Sequence, residues 1–237
     1  MQRTASINRL AIAILAVTIG VAGCSSKPSS NSAASKPSAT STTTTTVTTQ
    51  ASQAKVAPRT LVPGPNPTIA SYIQQNGITE TAVHRGDPGA PTIDLPIPDG
   101  WAAAGPDTPA TAYWAIVDTG PEAAKYTPSI VATVSKLVGN VDQQKLLDLA
   151  SGELKNLPGF KPMGDGATGT LANFPASQFG GTWTQGAQSR AVAQKTVVIP
   201  ASGAVYLLRL NADCLEDQIG QALPATITID EKATIAL

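Results

Sequence analysis

The segment QFGGTWTQGAQSRAVAQKTVVIPASGAVYLLRLN, residues 178–211, decides the fold that the sequence predicts. It contains three consecutive β-rich runs, near Gln178–Thr184, Ala191–Ile199 and Ala204–Asn211. The residues between the runs, Gln185-Gly186 and Ala201-Ser202-Gly203, are typical of turns. Consecutive strands joined by short turns pair as an antiparallel meander. We therefore expect this segment to form the centre of an antiparallel sheet.

Runs upstream of this segment extend the predicted sheet. Residues 93–97 alternate between aliphatic side chains and polar residues or proline, which predicts a strand at an edge of the sheet. Tyr113–Asp118 and Ser129–Val138 are further β-rich runs, and the second is long enough for a central strand.

Two helices are predicted in the upstream part as well. Asn66-Pro67 reads as an N-cap followed by proline at the first helical position, and Gly77 can close that helix. A second helix begins at Asn140 or Asp142 and carries apolar residues at helical spacing until Pro158-Gly159 stops it.

The chain finishes with a third predicted helix. Asp213 and Glu216 have the spacing of a capping box ahead of it. Its continuation past Pro224 is ambiguous, because residues 226–229 alternate like a strand. Together these elements predict an α+β domain over residues 66–237, a mainly antiparallel sheet flanked by helices.

The N-terminal residues 1–23 have the pattern of a lipoprotein signal peptide. Arg3 and Arg9 precede an apolar run, Leu10–Val21, that is too short to cross a bilayer of about 30 Å. The run ends in Val-Ala-Gly-Cys, which matches the bacterial lipobox and predicts lipid attachment to Cys24. We expect a mature protein anchored by acyl chains to the outer face of the cell membrane, in the cell envelope.

Residues 24–65 combine the lipidated cysteine with a linker rich in serine, threonine and proline. This composition cannot bury enough apolar surface to offset the entropy of ordering, so it predicts a flexible tether. Such stalks carry O-linked sugars in exported proteins, although a bare polar spacer fits the composition equally well. The candidate acceptors are Thr42, Thr43, Thr44, Thr45 and Thr46.

Charge and composition exclude several classes of function. Sixteen basic and sixteen acidic residues balance over the whole chain. Six of the basic residues and none of the acidic ones precede Asn66. The domain that follows therefore has more acidic than basic residues. An acidic domain without a basic stripe argues against a nucleic acid partner. One histidine and two cysteines argue against most zinc sites. We predict no metal and no cofactor.

Few residues have the setting that catalysis requires. His84 is the only imidazole and stands in a turn sequence, and no nucleophile elbow or phosphate-binding glycine loop is present. Arg85-Gly86-Asp87 spells an adhesion tripeptide, which is common by chance and fits ordinary turn chemistry. Cys214 reads as a small buried apolar residue. We therefore predict no catalytic residues.

Large aromatic side chains are the remaining candidates for a site. Each of them fits core packing, but each can also supply an apolar wall or a stacking face for an acyl chain or a sugar. The candidate ligand-binding residues are Trp101, Trp114 and Trp183.

Four segments of the domain resemble the LpqN/LpqT family of mycobacterial lipoproteins. They are NPTIASYI at 66–73, VHRGDPGAPTIDLP at 83–96, GELKNLPGF at 152–160 and VAQKTVVIP at 192–200. The resemblance covers nearly all of residues 66–237 and implies a fold similar to the Mog1/PsbP-like α/β/α sandwich. It also implies a non-enzymatic role in the envelope, with binding of mycolate-type glycolipids or of the exporters that move them. Cys24 is the one functional residue that the resemblance transfers.

Three functions follow as hypotheses. The first is a lipoprotein that binds a glycolipid, or the extracytoplasmic domain of a lipid exporter, and assists transport of mycolate-type lipids. The second is a protein–protein adaptor or host-interaction lipoprotein without a lipid ligand. The third is an envelope hydrolase, which requires His84 or paired carboxylates to converge in a pocket.

Overall fold

The computed structural model describes residues 56–57 and 62–237. The predicted signal peptide, the predicted lipidation site Cys24 and the candidate acceptors Thr42 to Thr46 lie outside the described residues.

Nine strands of the described part form one antiparallel sheet. They are β1 (Thr79–Val83), β3 (Trp101–Ala103), β4 (Trp114–Asp118), β5 (Ser129–Val138), β6 (Lys161–Pro162), β7 (Ala167–Leu171), β8 (Phe174–Gln185), β9 (Gln188–Ala201) and β10 (Ala204–Leu215). The order is β3-β4-β5-β10-β9-β8, with β1 beside β4 on the outer edge of β5, and β6 and β7 on the outer edge of β8. The predicted meander is β8-β9-β10, and its strands are longer than the sequence indicates.

Two short strands, four α-helices and three short 3-10 helices complete the described part. The strands β2 (Thr92–Asp94) and β11 (Thr234–Ala236) pair as a separate two-stranded ribbon. The helices are α1 (Ile69–Gln75), α2 (Gln143–Asp148), α3 (Gly152–Lys155) and α4 (Ile219–Lys232). No helix in residues 56–57 and 62–237 is long and apolar enough to cross a membrane.

One face of the sheet packs against α4 and the two-stranded ribbon. Alternate residues of a strand share a face, so even positions of β5 and β10 point to this side, as do odd positions of β9. Their apolar side chains meet Ala225 and Ile229 of α4 and Ile93 of the ribbon. The strand-like alternation after Pro224 is therefore helical: Ile229 faces the core, whereas Ile227 is exposed.

The opposite face packs against α1, α2 and α3, but only over part of its area. Leu207 and Val198 lie under Ile69 and Leu146 of α1 and α2. Phe179, Trp183 and Val192 lie under Leu154 and Leu157, from α3 and the residues that follow it. With helices on both faces, the domain is the predicted antiparallel sheet flanked by helices.

Three helix predictions need correction. The N-cap of α1 is Thr68, not Asn66, because the Thr68 and Ser71 side chains exchange hydrogen bonds with each other's backbone N–H groups. The helix predicted over residues 140–157 is two helices, α2 and α3. Asp213 does not cap α4, because β10 continues to Leu215 and holds the Asp213 side chain within the sheet.

Gly152 marks the break between α2 and α3. A Cβ atom at this position would lie 1.9 Å from the backbone carbonyl oxygen of Pro67, so the chain ahead of α1 packs directly on the glycine backbone. The close approach, rather than helix propensity, selects glycine here.

Gly152→Ala is expected to destabilise the domain by about 1–3 kcal/mol, because the added methyl group overlaps the Pro67 carbonyl. Gly220→Ala is the matched control, since its Cβ would meet nothing within 4 Å. That substitution should be neutral or stabilising by up to about 1 kcal/mol through helix propensity. Urea unfolding of both variants measures the effect, and a stabilising Gly152→Ala would contradict the packing.

Candidate functional site

The α1–α3 face of the sheet changes from apolar to polar along β10. Odd positions of this strand point to that face, and they run from Val205 and Leu207 to Arg209, Asn211 and Asp213. Helices cover the apolar end. The polar end carries side chains that need partners or water, and it forms the floor of a cleft.

This polar cleft has a volume of about 620 Å³. Its floor comes from β5 and β10, and its walls come from α3, from the loop before β4 and from residues 56–57. The lining residues are Val56, Ala57, Asp107, Pro109, Thr111, Ser129, Val131, Thr133, Glu153, Arg209, Asn211 and Asp213.

A buried ion pair fixes one end of the cleft. Arg190 of β9 is 1% exposed, and its guanidinium donates from Nη2 and Nε to Oδ1 of Asp213, at 2.5 and 3.1 Å. The hydroxyl of Tyr126 donates to the same oxygen at 2.6 Å. Burial, followed by the negative charge of Asp213, raises the pKa of Tyr126, so the phenol stays a donor.

Aromatic rings surround the same guanidinium. The Arg190 guanidinium carbon lies 4.9 Å from the ring centroid of Trp183 and 5.1 Å from that of Tyr126. Desolvated cation–π contacts of this kind stabilise by about 2 kcal/mol. Arg190 also donates to the side-chain amide oxygen of Gln185. The guanidinium is thus satisfied on several sides, as a buried charge requires.

Three buried polar atoms of the same sheet face have no hydrogen-bond partner among the described residues. They are Oδ2 of Asp213, Oε1 of Gln194 and Nε1 of Trp183. The register places their side chains on neighbouring positions, because Gln194 pairs with Asn211 and Trp183 pairs with Arg190. Unpaired buried polar atoms cost about 1–3 kcal/mol each. Of the three residues, Asp213 lines the polar cleft, whereas Gln194 and Trp183 are not in its lining.

A second charged group lies at the other end of the cleft. Nη1 of Arg209 donates to Oε1 of Glu153 at 2.9 Å, and Nη2 lies 3.9 Å from Oε1 of Glu80. Glu153 is 8% exposed, so this pair is also largely desolvated. Arg209 thereby connects β10 to α3 and β1.

Hydroxyl groups suit this arrangement of donors and acceptors. The carboxylate oxygen of Asp213 accepts, the guanidinium of Arg209 donates, and Ser129 and Thr133 do both. A polyhydroxylated ligand can satisfy all of them, whereas an apolar ligand leaves them unpaired. Pro109 and Val131 add apolar surface to the walls of the cleft.

The structure does not bring the three candidate tryptophans together. Trp114 is buried in the core under α4, and Trp101 packs at the edge of the same core and lines a separate cleft of about 250 Å³. Trp183 lies on the opposite face, 5% exposed, beneath Arg190. Of the three, Trp183 is the one connected to the polar cleft, through Arg190 and Asp213.

The exposed turn that contains His84 is not among the residues that line the polar cleft. Asp87 Oδ2 accepts from the backbone N–H of His84 at 2.7 Å, and Arg85 pairs with Asp94 at 3.0 Å. Both charged residues of the adhesion tripeptide therefore have partners within the fold. The ring of His84 contacts the carbonyl of Ala110 at 3.2 Å.

Cys214 lies on the α4 side of β10, beside Ala191 and Ala222. It is buried, and burial, followed by the charge of Asp213, raises the pKa of its thiol to about 12. A protonated, buried thiol behaves as a small apolar side chain.

Comparison with known proteins matches the domain just described. A family model described as "Probable lipoprotein LpqN" matches residues 65–236. The chain belongs to the LpqN lipoprotein family. The lipoprotein LpqN of Mycobacterium tuberculosis (strain ATCC 25618 / H37Rv) is 52% identical over 172 residues, which is 73% of this chain and 75% of that protein. The predicted family is confirmed.

A solved structure supports the LpqN fold directly. A crystal structure of LpqN, described as involved in cell envelope biogenesis of Mycobacterium tuberculosis, is 51% identical and superposes with a TM-score of 0.70. The match covers 73% of this chain and all of that chain. The sheet and flanking helices are therefore those of an LpqN-family domain.

Sequence reasoning missed the charged residues of the polar cleft. Arg190 and Arg209 belong to no motif, and Asp213 is assigned to a helix cap. Arg209 and Asn211 nevertheless stand at alternate positions of a predicted strand, and Asp213 continues that alternation two residues past its predicted end. Polar residues at every second position of a central strand are a signal that one face of the sheet is uncovered.

Asp213→Ala is expected to destabilise the domain by about 3–5 kcal/mol, because it leaves the Arg190 charge buried without its carboxylate. The matched control is Asp217→Ala, which removes the exposed ion pair with Lys125 and should cost less than about 1 kcal/mol. Chemical denaturation gives both values. Equal effects of the two substitutions would contradict the role of the buried pair.

Proposed function

We propose that the protein is a membrane-anchored lipoprotein of the cell envelope that binds the polar headgroup of a glycolipid in the polar cleft. In this function it assists transport of mycolate-type lipids, receiving them from or passing them to the extracytoplasmic domain of an exporter. The role is binding, without catalysis.

The unpartnered Oδ2 of Asp213 carries this proposal. It is a buried carboxylate oxygen at the lining of a cleft of about 620 Å³, and the described residues offer it no hydrogen bond. A sugar hydroxyl is a neutral donor that can supply the missing hydrogen bond. Neighbouring Ser129, Thr133 and Arg209 supply further partners for adjacent hydroxyls.

The anchoring part of the proposal rests on the lipobox. Lipidation of Cys24 would leave 41 residues, 25–65, between the anchor and the domain. As a flexible chain they would span roughly 35 Å root-mean-square. That distance lets the domain reach lipids and proteins above the outer face of the membrane. The relative's name, lipoprotein LpqN, agrees with an envelope location.

An adaptor function without a lipid ligand has one observation in its favour. Leu223 and Ile227 of α4 are 39% and 47% exposed. Large apolar side chains on an outer helix surface suit contact with a protein partner. The hydrolase hypothesis finds less support. The carboxylates of Asp107, Glu153 and Asp213 do line the polar cleft. Glu153 and Asp213 are already paired with Arg209 and Arg190, however, and the exposed His84 is not among the lining residues.

Native mass spectrometry of residues 66–237, exported without lipidation from a mycobacterial host, tests the glycolipid proposal. We expect a mass excess that organic extraction identifies as a glycolipid. Thr133→Trp, which fills the polar cleft, should abolish the excess. Thr226→Trp is the control, because Thr226 lines a different cleft beside α4.

A protein without bound mass would favour the adaptor hypothesis. The opposite pattern would contradict the assignment of the polar cleft. If the Thr226→Trp variant loses the bound lipid and the Thr133→Trp variant keeps it, the ligand lies beside α4.

A further inference from the structure

Val56 of the tether packs on the folded domain. Its half-buried side chain contacts an apolar cluster on the α1–α3 side of the sheet, formed by Ala104, Ala115, Val117 and Val131. The first three of these are 3–6% exposed. Every residue of β4 is buried, so both faces of this strand are covered. One face packs in the core under α4, and the contacts of the other face include Val56.

The residue that makes this contact is unusual in its segment. Between Ser25 and Thr60, Val47 and Val56 are the two large aliphatic residues in a stretch of serine, threonine, alanine and proline. A β-branched side chain is well suited to fill a shallow apolar site, because it loses little rotamer freedom. Burial of one such side chain supplies a modest, reversible attraction.

Val56 and its neighbour Ala57 also form part of the polar cleft. Val56 and Ala57 line it, together with Val131, which belongs to the apolar cluster as well. A molecule that fills the cleft must therefore contact the tether residues or displace them.

We propose that Val56 and Ala57 act as an intramolecular strap that docks on the domain beside the polar cleft and competes with its ligand. This inference rests on the proposed function, since it assigns a regulator to the same cleft. Ligand binding releases the strap, and removal of the strap favours ligand binding, because the two effects are reciprocal.

Release of the strap also changes the reach of the domain. When Val56 is docked, the free tether ends there instead of at Gly64, which packs against the Asn156 side chain. Undocking adds the seven residues from Ala57 to Pro63, which extend by up to about 25 Å. A loaded domain then reaches farther from the membrane than an empty one.

Crosslinking tests the docking on its own. The protein is the chain exported without lipidation and carrying Cys24→Ser, with Ala57→Cys and Thr133→Cys added as a pair across the cleft. A short bismaleimide should join the two thiols, while the buried Cys214 stays unreacted. Adding Val56→Asp should lower the crosslinked fraction about threefold or more. Adding Val47→Asp is the matched control and should leave it unchanged. Equal crosslinking with and without Val56→Asp would overturn the docking.

Ligand affinity tests the competition. The probe is dodecyl maltoside below its micelle concentration, a disaccharide with one alkyl chain, titrated into the exported chain with Cys24→Ser and its native Ala57 and Thr133. Val56→Asp should bind it about threefold or more tightly than the parent chain, and Val47→Asp should bind it equally. Equal affinity of Val56→Asp and the parent would overturn the competition. A third outcome is crosslinking that depends on Val56 while no variant binds the maltoside. This result would overturn both the competition and the glycolipid proposal, but it would support the docked strap.

Discussion

One buried arginine, Arg190, determines the contacts at one end of the polar cleft. A guanidinium that is 1% exposed must have its charge and its donors satisfied. Asp213 supplies the charge, Tyr126 shares the same carboxylate oxygen, and Trp183 lies beside the cation. Nε and Nη2 of Arg190 and the Tyr126 hydroxyl all donate to Oδ1, so the second oxygen of Asp213 is buried without a hydrogen-bond partner among the described residues. The ion pair thus satisfies one oxygen of the carboxylate and leaves the other as the acceptor on which the proposed function rests.

The arrangement of helices and cleft follows from a change along β10, whose residues on one face are apolar at first and polar later. The first part of β10 carries Val205 and Leu207 on the face that α1 and α2 cover, and the later part carries Arg209, Asn211 and Asp213 on the same face. Helices pack where the strand is apolar and stop where it is polar. The cleft is the uncovered remainder, and the tether enters it through Val56.

Much of the sheet is predictable from the sequence, because the strands of the meander have strong β composition and clear turns. Helix boundaries are less predictable, since they depend on contacts between distant residues. The Pro67 carbonyl excludes a side chain at Gly152, and hydrogen bonds from Arg190 keep Asp213 within β10 instead of at a helix cap. The site is less predictable still. The candidate tryptophans are large side chains, but two of the three pack around one core. The polar cleft is built instead from charged residues whose partners lie on other elements.

The most direct test of the cleft is an NMR titration of the isotopically labelled domain, residues 66–237, with dodecyl maltoside below its micelle concentration. The indole N–H of Trp183 and the side-chain amide of Gln194 report on the unpartnered atoms, and the backbone amides of Ser129 and Asp213 report on the floor. We expect these signals to shift together with one affinity. Shifts confined to α4, around Leu223 and Ile229, would contradict the assignment of the polar cleft as the binding site.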